Sequence, residues 1–238
     1  MADTDTTRTI VGIIGNVISF FLFLSPGPTF VKILKAKSVM EFRPDPYIAT
    51  VLNCAVWVFY GMPFVHPDSL LVITINGFGL AIELLYVSIF FIYSDWSKRQ
   101  KIIIALIVEA VFMAVLIFVT LTFLHGTKDR SMLIGIVAIV FNIIMYTSPL
   151  TVMKKVIATK SVKYMPFYLS LANFANGIVW ACYALLKFDP YILIPNGLGT
   201  LSGLVQLILF AAFYRTTNWD EDEKEVELST SKSTKSDV

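Results

Sequence analysis

Two sets of one tryptophan and one asparagine lie in strongly apolar sequence and repeat along the chain. Trp57 precedes Asn76-Gly77-Phe78-Gly79, and Trp180 precedes Asn196-Gly197-Leu198-Gly199. A buried carboxamide without partners costs roughly 1–3 kcal/mol, so each asparagine needs a structural partner or a ligand. Carboxamides donate and accept hydrogen bonds, and an indole packs on C–H surfaces while its N–H donates. These groups suit a ligand with hydroxyls and C–H faces; the alternative is bonding between helices and core packing.

The composition places these residues in a membrane. The chain has 238 residues, of which 56% are hydrophobic and 15% charged, and its mean hydropathy is +0.73. Soluble domains have about 45–50% apolar and about 25% charged residues. Because the apolar excess extends over the whole chain, we expect an integral membrane protein. Cys54 and Cys182 lie in apolar segments and are interpreted as small packing residues rather than a disulfide or metal pair.

Apolar runs of about 20 residues cross a bilayer as helices, and the chain contains seven such runs. The predicted spans are Ile10–Phe30, Pro46–Val65, Leu70–Tyr93, Ile102–Leu124, Met132–Met153, Phe167–Leu186 and Tyr191–Tyr214. The expected fold class is therefore an all-α membrane protein. The segment from Arg215 to Val238 is acidic and then rich in Ser, Thr and Lys, and we expect it to be disordered.

The positive charges predict the orientation in the membrane. Of the 19 lysines and arginines, fifteen fall in the first, third and fifth connections and the tail, and four fall on the other side. We therefore expect the amino terminus outside and the tail in the cytosol.

The first three and the last three spans form an internal repeat. Trp57 and Trp180 are 123 residues apart, and Asn76 and Asn196 are 120 residues apart. Further pairs at the 123-residue offset are Ser25-Pro26 with Ser148-Pro149, Lys37-Ser38-Val39 with Lys160-Ser161-Val162, Asn53 with Asn176, and Tyr60 with Tyr183. Three spans reverse the direction of the chain and a single helix restores it, so the copies are parallel. Parallel repeats place a substrate site at their interface near the bilayer midplane.

The expected organisation is thus three, one and three helices. We assign residues 1–9 to an extracellular amino terminus, 10–93 to a first triple-helix bundle, 94–130 to a linker helix with its loops, 131–214 to a second bundle, and 215–238 to the cytosolic tail.

The motifs of both halves resemble those of the plant SWEET sugar transporters, which are themselves a standard example of parallel repeats. The resemblance covers about Val11 to Tyr214. It rests on Ser25-Pro26, Lys37-Ser38-Val39, Pro46-Tyr47, Trp57 to Tyr60, Thr74 to Gly77, Tyr146 to Pro149, Lys160 to Phe167 and Ile194 to Gly197. It implies a facilitative, bidirectional sugar uniporter that works by alternating access, without a cofactor or a metal ion.

The resemblance also implies which residues bind the sugar. The positions that match the family's pocket are Asn76, Asn196, Trp180, Asn53, Asn176, Leu22 and Met145, with Trp57 as the symmetry mate of Trp180. Cys54 is a further candidate, for which packing is the alternative role. Other family members often have a smaller residue at the position of Trp57. A bulky residue there narrows the pocket and favours a monosaccharide such as glucose over sucrose, as in the hexose-preferring branch.

Two more sets of residues are implied to act as gates. Pro26, Pro46, Pro149 and Pro166 match a proline tetrad that lets helices hinge at the cytosolic gate; the alternative is that they mark helix ends. Tyr60 and Asp189 match residues that close the extracellular gate, and Tyr183 is the symmetry mate of Tyr60. A tyrosine hydroxyl that donates to a carboxylate would form a bond that opens with the gate.

Glu83 and Glu109 are the only carboxylates well inside the predicted spans. A charge at the bilayer centre costs at least about 2.5–3.5 kcal/mol. Neither has an evident His or Asp partner for a proton relay, so we expect structural hydrogen bonds and uniport rather than proton coupling.

Three other classes of function compete with a carrier. A seven-helix receptor shares the helix count but not the repeat, a channel needs a lined permanent pore, and an enzyme needs a metal cluster or a nucleophile–base set that the sequence lacks. The expected partners are a small sugar and the bilayer, with no nucleic acid, and homo-oligomers are compatible with the resemblance. The expected location is the plasma membrane, with the vacuolar membrane as the alternative.

Overall fold

A computed structural model describes residues 2–219 of the chain, so most of the predicted tail, from residue 220 to 238, lies outside the described residues. The described part is helical and contains no β-strand. Its helices are α1 (Ala2–Leu24), α2 (Gly27–Ala36), α3 (Asp45–Gly61), α4 (Leu70–Tyr93), α5 (Trp96–Phe123), α6 (Thr127–Met145), α7 (Thr147–Thr159), α8 (Phe167–Leu186), α9 (Pro190–Phe213) and a short 3-10 helix (Tyr214–Thr216).

These helices form seven membrane spans, as predicted. Six stretches are long and apolar enough to cross a bilayer: Asp3–Ala36, Leu70–Tyr93, Trp96–Phe123, Thr127–Thr159, Phe167–Leu186 and Pro190–Thr216. The seventh is α3, whose 17 residues lie at the lower limit of about 17–25 for a spanning helix. The predicted bounds of α4 and α8 are confirmed. The first span begins eight residues before the predicted Ile10, because the polar residues from Asp3 to Thr9 are also helical.

The first and fifth spans are each broken near a proline. The first span divides into α1 and α2 at Ser25-Pro26, where the Ser25 hydroxyl donates to the Leu22 carbonyl over 2.7 Å. The fifth span divides into α6 and α7 at Tyr146, where the Thr147 hydroxyl donates to the Ile144 carbonyl, also over 2.7 Å. Proline cannot donate a backbone hydrogen bond. The local hydroxyls therefore add a hydrogen bond to a backbone carbonyl in the last turn before each break.

Two bundles and a linker make up the fold. The first bundle contains α1 to α4, the second contains α6 to α9, and α5 packs on α3, α4 and α6. The principal contacts between the bundles are those of α1 with α8 and of α3 with α6. Beyond the breaks, α2 packs on α4 and α7 packs on α9, each within its own bundle. The bundles therefore join along one half of their length.

The two ends of the molecule are named here by their residues. The Asp189 end holds Asp189 and Tyr60 where α9 begins and α3 ends, and the proline end holds Pro46 and Pro166 where α3 and α8 begin. The contacts between the bundles lie on the Asp189 half.

The repeated Lys-Ser-Val motif is a helix stop. Lys37 ends α2 with φ 50° and Lys160 ends α7 with φ 50°, both in the left-handed region. A left-handed residue at this position closes the last helical turn. Two residues later, Val39 and Val162 are buried, at 3% and 1% exposure, and they anchor the following loops.

The second glycine of each Asn-Gly-x-Gly motif receives an aromatic side chain from the broken span of its bundle. A Cβ built on Gly79 would lie 2.4 Å from the Phe23 ring, and one on Gly199 would lie 2.7 Å from the Tyr146 hydroxyl. Phe23 and Tyr146 are themselves 123 residues apart, and each lies at a helix break. Glycine is thus required where the broken span crosses the third helix of its bundle.

Candidate functional site

A cavity of about 300 Å³ lies between the two bundles. Seven of the nine predicted binding residues line it: Leu22, Asn53, Trp57, Asn76, Asn176, Trp180 and Asn196. They come from α1, α3, α4, α8 and α9, so both repeats contribute to the same site.

Cys54 and Met145 do not line the cavity. Asn53 shares one face of α3 with the cavity residues Thr50 and Trp57. Cys54 is the next residue along the helix and is therefore rotated by about 100° from that face. Its side chain is fully buried. Met145 is the last residue of α6, and Asn142, one turn earlier, lines the cavity in its place. The packing role, which the sequence already favours for Cys54, fits its burial, and contact of Met145 with the sugar stays a prediction.

Asn76 and Asn196 are held in the same way in the two bundles. The Asn76 amide donates to the Val72 carbonyl over 2.9 Å, and the Asn196 amide donates to the Ile192 carbonyl over 2.8 Å. Each bond spans four residues of its own helix, so it fixes the rotamer of the side chain. The carbonyl oxygens of both amides have no partner within residues 2–219 and remain available as acceptors.

Asn53 and Asn176 make hydrogen bonds across the interface between the bundles. The Asn53 carbonyl oxygen accepts from the Asn142 amide over 3.2 Å, and the Asn176 carbonyl oxygen accepts from the Ser19 hydroxyl over 2.6 Å. Because these bonds use the carbonyl oxygens, the amide N–H groups of Asn53 and Asn176 remain as donors. The four asparagines therefore offer two acceptors and two donor groups to a ligand.

The two cavity tryptophans differ in their hydrogen bonds. The Trp180 indole N–H donates to the Ser19 hydroxyl over 3.1 Å, and the Trp57 indole N–H has no acceptor within the described part of the chain. Both rings are more than nine-tenths buried, and Gly15 gives Trp180 room, since a Cβ there would lie 2.9 Å from the ring.

Ser19 and Asn142 are cavity residues that the sequence reasoning missed. They are 123 residues apart, so the repeat offset carried a signal for them. The remaining lining residues that were not predicted are Phe23, Thr50, Val72, Ile75, Glu83 and Ile192.

The four predicted hinge prolines lie at helix starts and breaks. Pro46 is the second residue of α3, Pro166 precedes α8, Pro26 precedes α2, and Pro149 is the third residue of α7. Pro26 lies at the break of the first span and Pro149 lies three residues after the break of the fifth span, so a hinge role for both stays a prediction, with the marking of a helix start as the alternative. Pro46 and Pro166 begin helices, so for them the alternative of a helix end also fits.

The Asp189 end is closed by a buried polar cluster. The Tyr60 hydroxyl donates to the Asp189 carboxylate with 2.9 Å to each oxygen, and the His66 imidazole lies 3.2 Å from the same carboxylate. The other ring nitrogen of His66 is 2.9 Å from the Ser131 hydroxyl. The backbone N–H groups of Tyr191 and Ile192 also donate to Asp189. This cluster ties α3 to α9, across the interface.

A second tie at this end has different chemistry. The Tyr183 hydroxyl lies 3.5 Å from the Asp68 backbone carbonyl rather than on a carboxylate, and the Arg8 guanidinium stacks 4.0 Å above the Tyr183 ring. Lys187 lies 3.0 Å from Asp5 and 3.1 Å from Asp68. Hydrogen bonds to the Asp5 and Asp68 carboxylates raise the pKa of Lys187. This tie joins α1 and the loop after α3 to the end of α8.

Neither intramembrane carboxylate makes the structural hydrogen bonds expected of it. The Oε2 atoms of Glu83 and Glu109 are buried without a hydrogen-bond partner within residues 2–219. Glu83 lines the cavity, and Glu109 lies on α5 outside it. No group of three or more His, Cys, Asp or Glu residues that would hold a metal ion occurs in this part of the chain.

The fold and the cavity define a class: an integral membrane protein of seven spans, in which two parallel three-helix repeats enclose a polar site. Comparison with known proteins agrees with this class. Residues 9–98 and 132–218 match the family model described as "Sugar efflux transporter for intercellular exchange". The chain belongs to the SWEET family, a family of transporters rather than enzymes.

Named relatives cover nearly the whole chain. It is 68% identical over 227 residues to the bidirectional sugar transporter SWEET5 of Arabidopsis thaliana, and the matched region covers 95% of each chain. It is 60% identical over 222 residues to SWEET4 of the same plant, with 93% of this chain and 88% of the relative covered. A solved structure of a eukaryotic SWEET transporter superposes with a TM-score of 0.86 at 39% identity, covering 89% of this chain and 99% of the other.

Proposed function

We propose that this chain is a facilitative carrier that moves monosaccharides such as glucose across the membrane in both directions. The observation that carries the proposal is the matched set of amides on one cavity between the bundles, with acceptors from Asn76 and Asn196 and donors from Asn53 and Asn176. A pyranose presents hydroxyls around its edge that donate and accept. The printed names of the relatives, bidirectional sugar transporters, support the same substrate class.

A preference for monosaccharides is supported by the two tryptophans that line the cavity. Trp57 and Trp180 both line the cavity of about 300 Å³, one from each bundle. Two indoles from opposite walls suit a single ring, whose C–H faces pack on aromatic surfaces. Sucrose, the alternative substrate, needs room for a second ring.

The distribution of contacts between the bundles supports alternating access. The Asp189 end is held by Tyr60, Asp189 and His66, whereas α2 and α7 pack within their own bundles. This arrangement corresponds to a state that is closed at the Asp189 end and open at the proline end. The opposite state requires the Tyr60–Asp189 bond to break and the proline halves of the bundles to approach, with bending at the breaks near Pro26 and Pro149.

The distribution of lysine and arginine supports an orientation in which the Asp189 end faces outward and the proline end faces the cytosol. The state described above is then inward-facing. We place the carrier in the plasma membrane, with the vacuolar membrane as the alternative, and a fluorescent fusion imaged in plant cells distinguishes the two. A homo-oligomer stays a prediction from the resemblance, to be tested by the mass of the purified protein in detergent.

Sugar flux in reconstituted vesicles tests the proposed function. Vesicles loaded with unlabelled glucose should take up labelled glucose faster than empty vesicles, because a carrier returns faster with substrate bound. Uptake should saturate, resist a proton uncoupler and be weaker for sucrose. Uptake that neither saturates nor responds to sugar inside would indicate a channel, and no uptake of either sugar would contradict the proposal.

A further inference from the structure

Glu83 is a cavity residue without a partner. It lies on α4, is 4% exposed and lines the cavity, and its Oε2 atom is buried without a hydrogen-bond partner within residues 2–219. An unpaired buried carboxyl is strongly unfavourable, and ionisable groups inside membrane spans are commonly functional. The residue therefore requires an explanation that packing does not supply.

Its position on α4 relates it to the proposed sugar site. Glu83 follows Asn76 by seven residues, which is two helical turns on the same face and about 10 Å along the axis. Both residues line the same cavity. Because α4 runs from the Asp189 end to the proline end, Glu83 lies on the proline side of Asn76. The cavity thus extends along α4 from the level of Asn76 to that of Glu83.

The second bundle has no counterpart. The residue 120 positions after Glu83 is Gly203, and a Cβ built there would lie 2.8 Å from the Phe174 Cα atom. Helices α8 and α9 are therefore in close contact where α3 and α4 leave room for a carboxyl. The matched position of the second bundle therefore carries no polar side chain, and the carboxyl is contributed by the first bundle alone.

The titratable groups that interact electrostatically with Glu83 are Tyr47, Cys54 and Tyr86. None of them makes a hydrogen bond to Glu83 within residues 2–219, and the Tyr86 hydroxyl donates to the Phe23 carbonyl over 3.2 Å instead. The carboxyl remains free to bond a hydroxyl in the cavity, and it can do so in either protonation state.

We propose that Glu83 is a second hydroxyl-binding group for the transported sugar, placed on the first bundle between the asparagines and the proline end. The proposal rests on the proposed function. As the sugar moves from the asparagines toward the proline end, one of its hydroxyls gives up a hydrogen bond to an asparagine amide and forms one to the Glu83 carboxyl. At least one hydroxyl therefore keeps a hydrogen-bond partner during the movement. The sugar then departs along the wall of the first bundle.

Competition by deoxy sugars tests this proposal in reconstituted vesicles. The probes are the five deoxyglucoses that each lack one hydroxyl, at carbon 1, 2, 3, 4 or 6, used as inhibitors of labelled glucose uptake. In the wild type, the analogue without the hydroxyl that Glu83 binds should inhibit about tenfold more weakly than glucose, as expected for a lost bond to a carboxyl. The ratio of the inhibition constant of this analogue to that of glucose should fall to about one in Glu83→Leu, because the carboxyl that bonds the hydroxyl is absent. A merely structural role would change overall activity and leave every ratio as in the wild type.

Glu109→Leu is the matched control, since it removes the other unpaired intramembrane carboxyl away from the cavity. It should keep the wild-type ratios. If Glu83→Leu does not transport, Glu83→Gln serves the same comparison, and its ratio should also shrink because the amide bonds a hydroxyl less strongly.

Unchanged ratios in the Glu83 variant that transports would overturn the proposal and leave the proposed function intact. An equal change in Glu109→Leu would also overturn it. Wild-type vesicles without saturable glucose uptake would contradict the proposed function and this inference together.

Discussion

The two bundles agree around the cavity and differ at the proline end. Asn76 matches Asn196 and Trp57 matches Trp180, and the amides of the asparagines bond their own helices at 2.9 and 2.8 Å. Nearer the proline end the matched positions diverge. The pairs there are Phe30 with Met153, Tyr47 with Ser170, Glu83 with Gly203, and Tyr86 with Gln206.

The divergence changes the packing at that end. In the first bundle, Phe30 stacks on Tyr86 with ring centroids 4.0 Å apart, and Tyr47 meets Phe30 edge-on at 5.0 Å. In the second bundle, the Ser170 hydroxyl donates to Gln206 over 2.9 Å. The repeat therefore retains the asparagines and tryptophans that line the cavity and the breaks in the first and fifth spans. The supporting core is aromatic in one copy and polar in the other.

Removing the large side chain at the first matched pair should have the largest effect. Phe30→Ala should lower the free energy of unfolding by about 3–5 kcal/mol, whereas Met153→Ala should lower it by about 2 kcal/mol, because Phe30 is part of a stacked aromatic cluster. The measurement is thermal unfolding in detergent, followed by labelling of the Cys54 thiol, which is fully buried, in a Cys182→Ser background. Equal losses in the two variants would contradict the difference in packing.

Substitution by alanine should lower the free energy of unfolding at Gly203 but not at Glu83. Gly203→Ala should lower the free energy of unfolding by about 1–2 kcal/mol, since the new Cβ meets the Phe174 backbone and overpacking exceeds the gain in helix propensity. Glu83→Ala should leave stability unchanged or raise it, because Oε2 has no partner within residues 2–219. The same unfolding assay checks both variants, and a stability loss in Glu83→Ala would indicate a structural bond.

The smallest expected effect falls where the copies agree. Lys37 and Lys160 both end helices at φ 50°, a conformation that glycine adopts without the steric cost of a side chain. Lys37→Gly and Lys160→Gly should each raise the free energy of unfolding by about 0.5–1 kcal/mol. A matched control is Lys35→Gly inside α2, which should be destabilising by about 1 kcal/mol. If Lys37→Gly and Lys160→Gly changed the free energy of unfolding by different amounts, the two helix ends would share a backbone conformation but not its energetic cost.

Much of this architecture was predictable from residue spacing. The repeat offset predicts that Asn53, Asn76 and their mates meet at one cavity, and hydropathy predicts the bounds of α4 and α8. The first and fifth spans were predicted as continuous, because apolar composition does not reveal a break that depends on a proline and a local hydroxyl. Cys54 could only be given as a weaker candidate for the cavity, because the rotation of a helix relative to its partner is not visible in one sequence.

The Asp189 end shows a further limit of sequence reasoning. Arg8 was counted only as a charge on the minority side, yet it is 6% exposed and stacks on Tyr183. The helix that holds it begins at Ala2, in sequence too polar to be recognised as part of a span. Likewise His66 joins the Tyr60–Asp189 pair through a loop whose position the sequence does not specify.

We propose that sugar binds between the two bundles with one carboxamide from each. This is tested most directly by glucose binding to the purified protein, followed by its intrinsic tryptophan fluorescence, to which Trp57 and Trp180 in the cavity contribute. Asn76→Ala and Asn196→Ala should each weaken binding about tenfold, whereas Asn16→Ala, which removes a carboxamide bonded between α1 and α4 outside the cavity, should bind as the wild type does. Wild-type affinity in either cavity variant would contradict the claim.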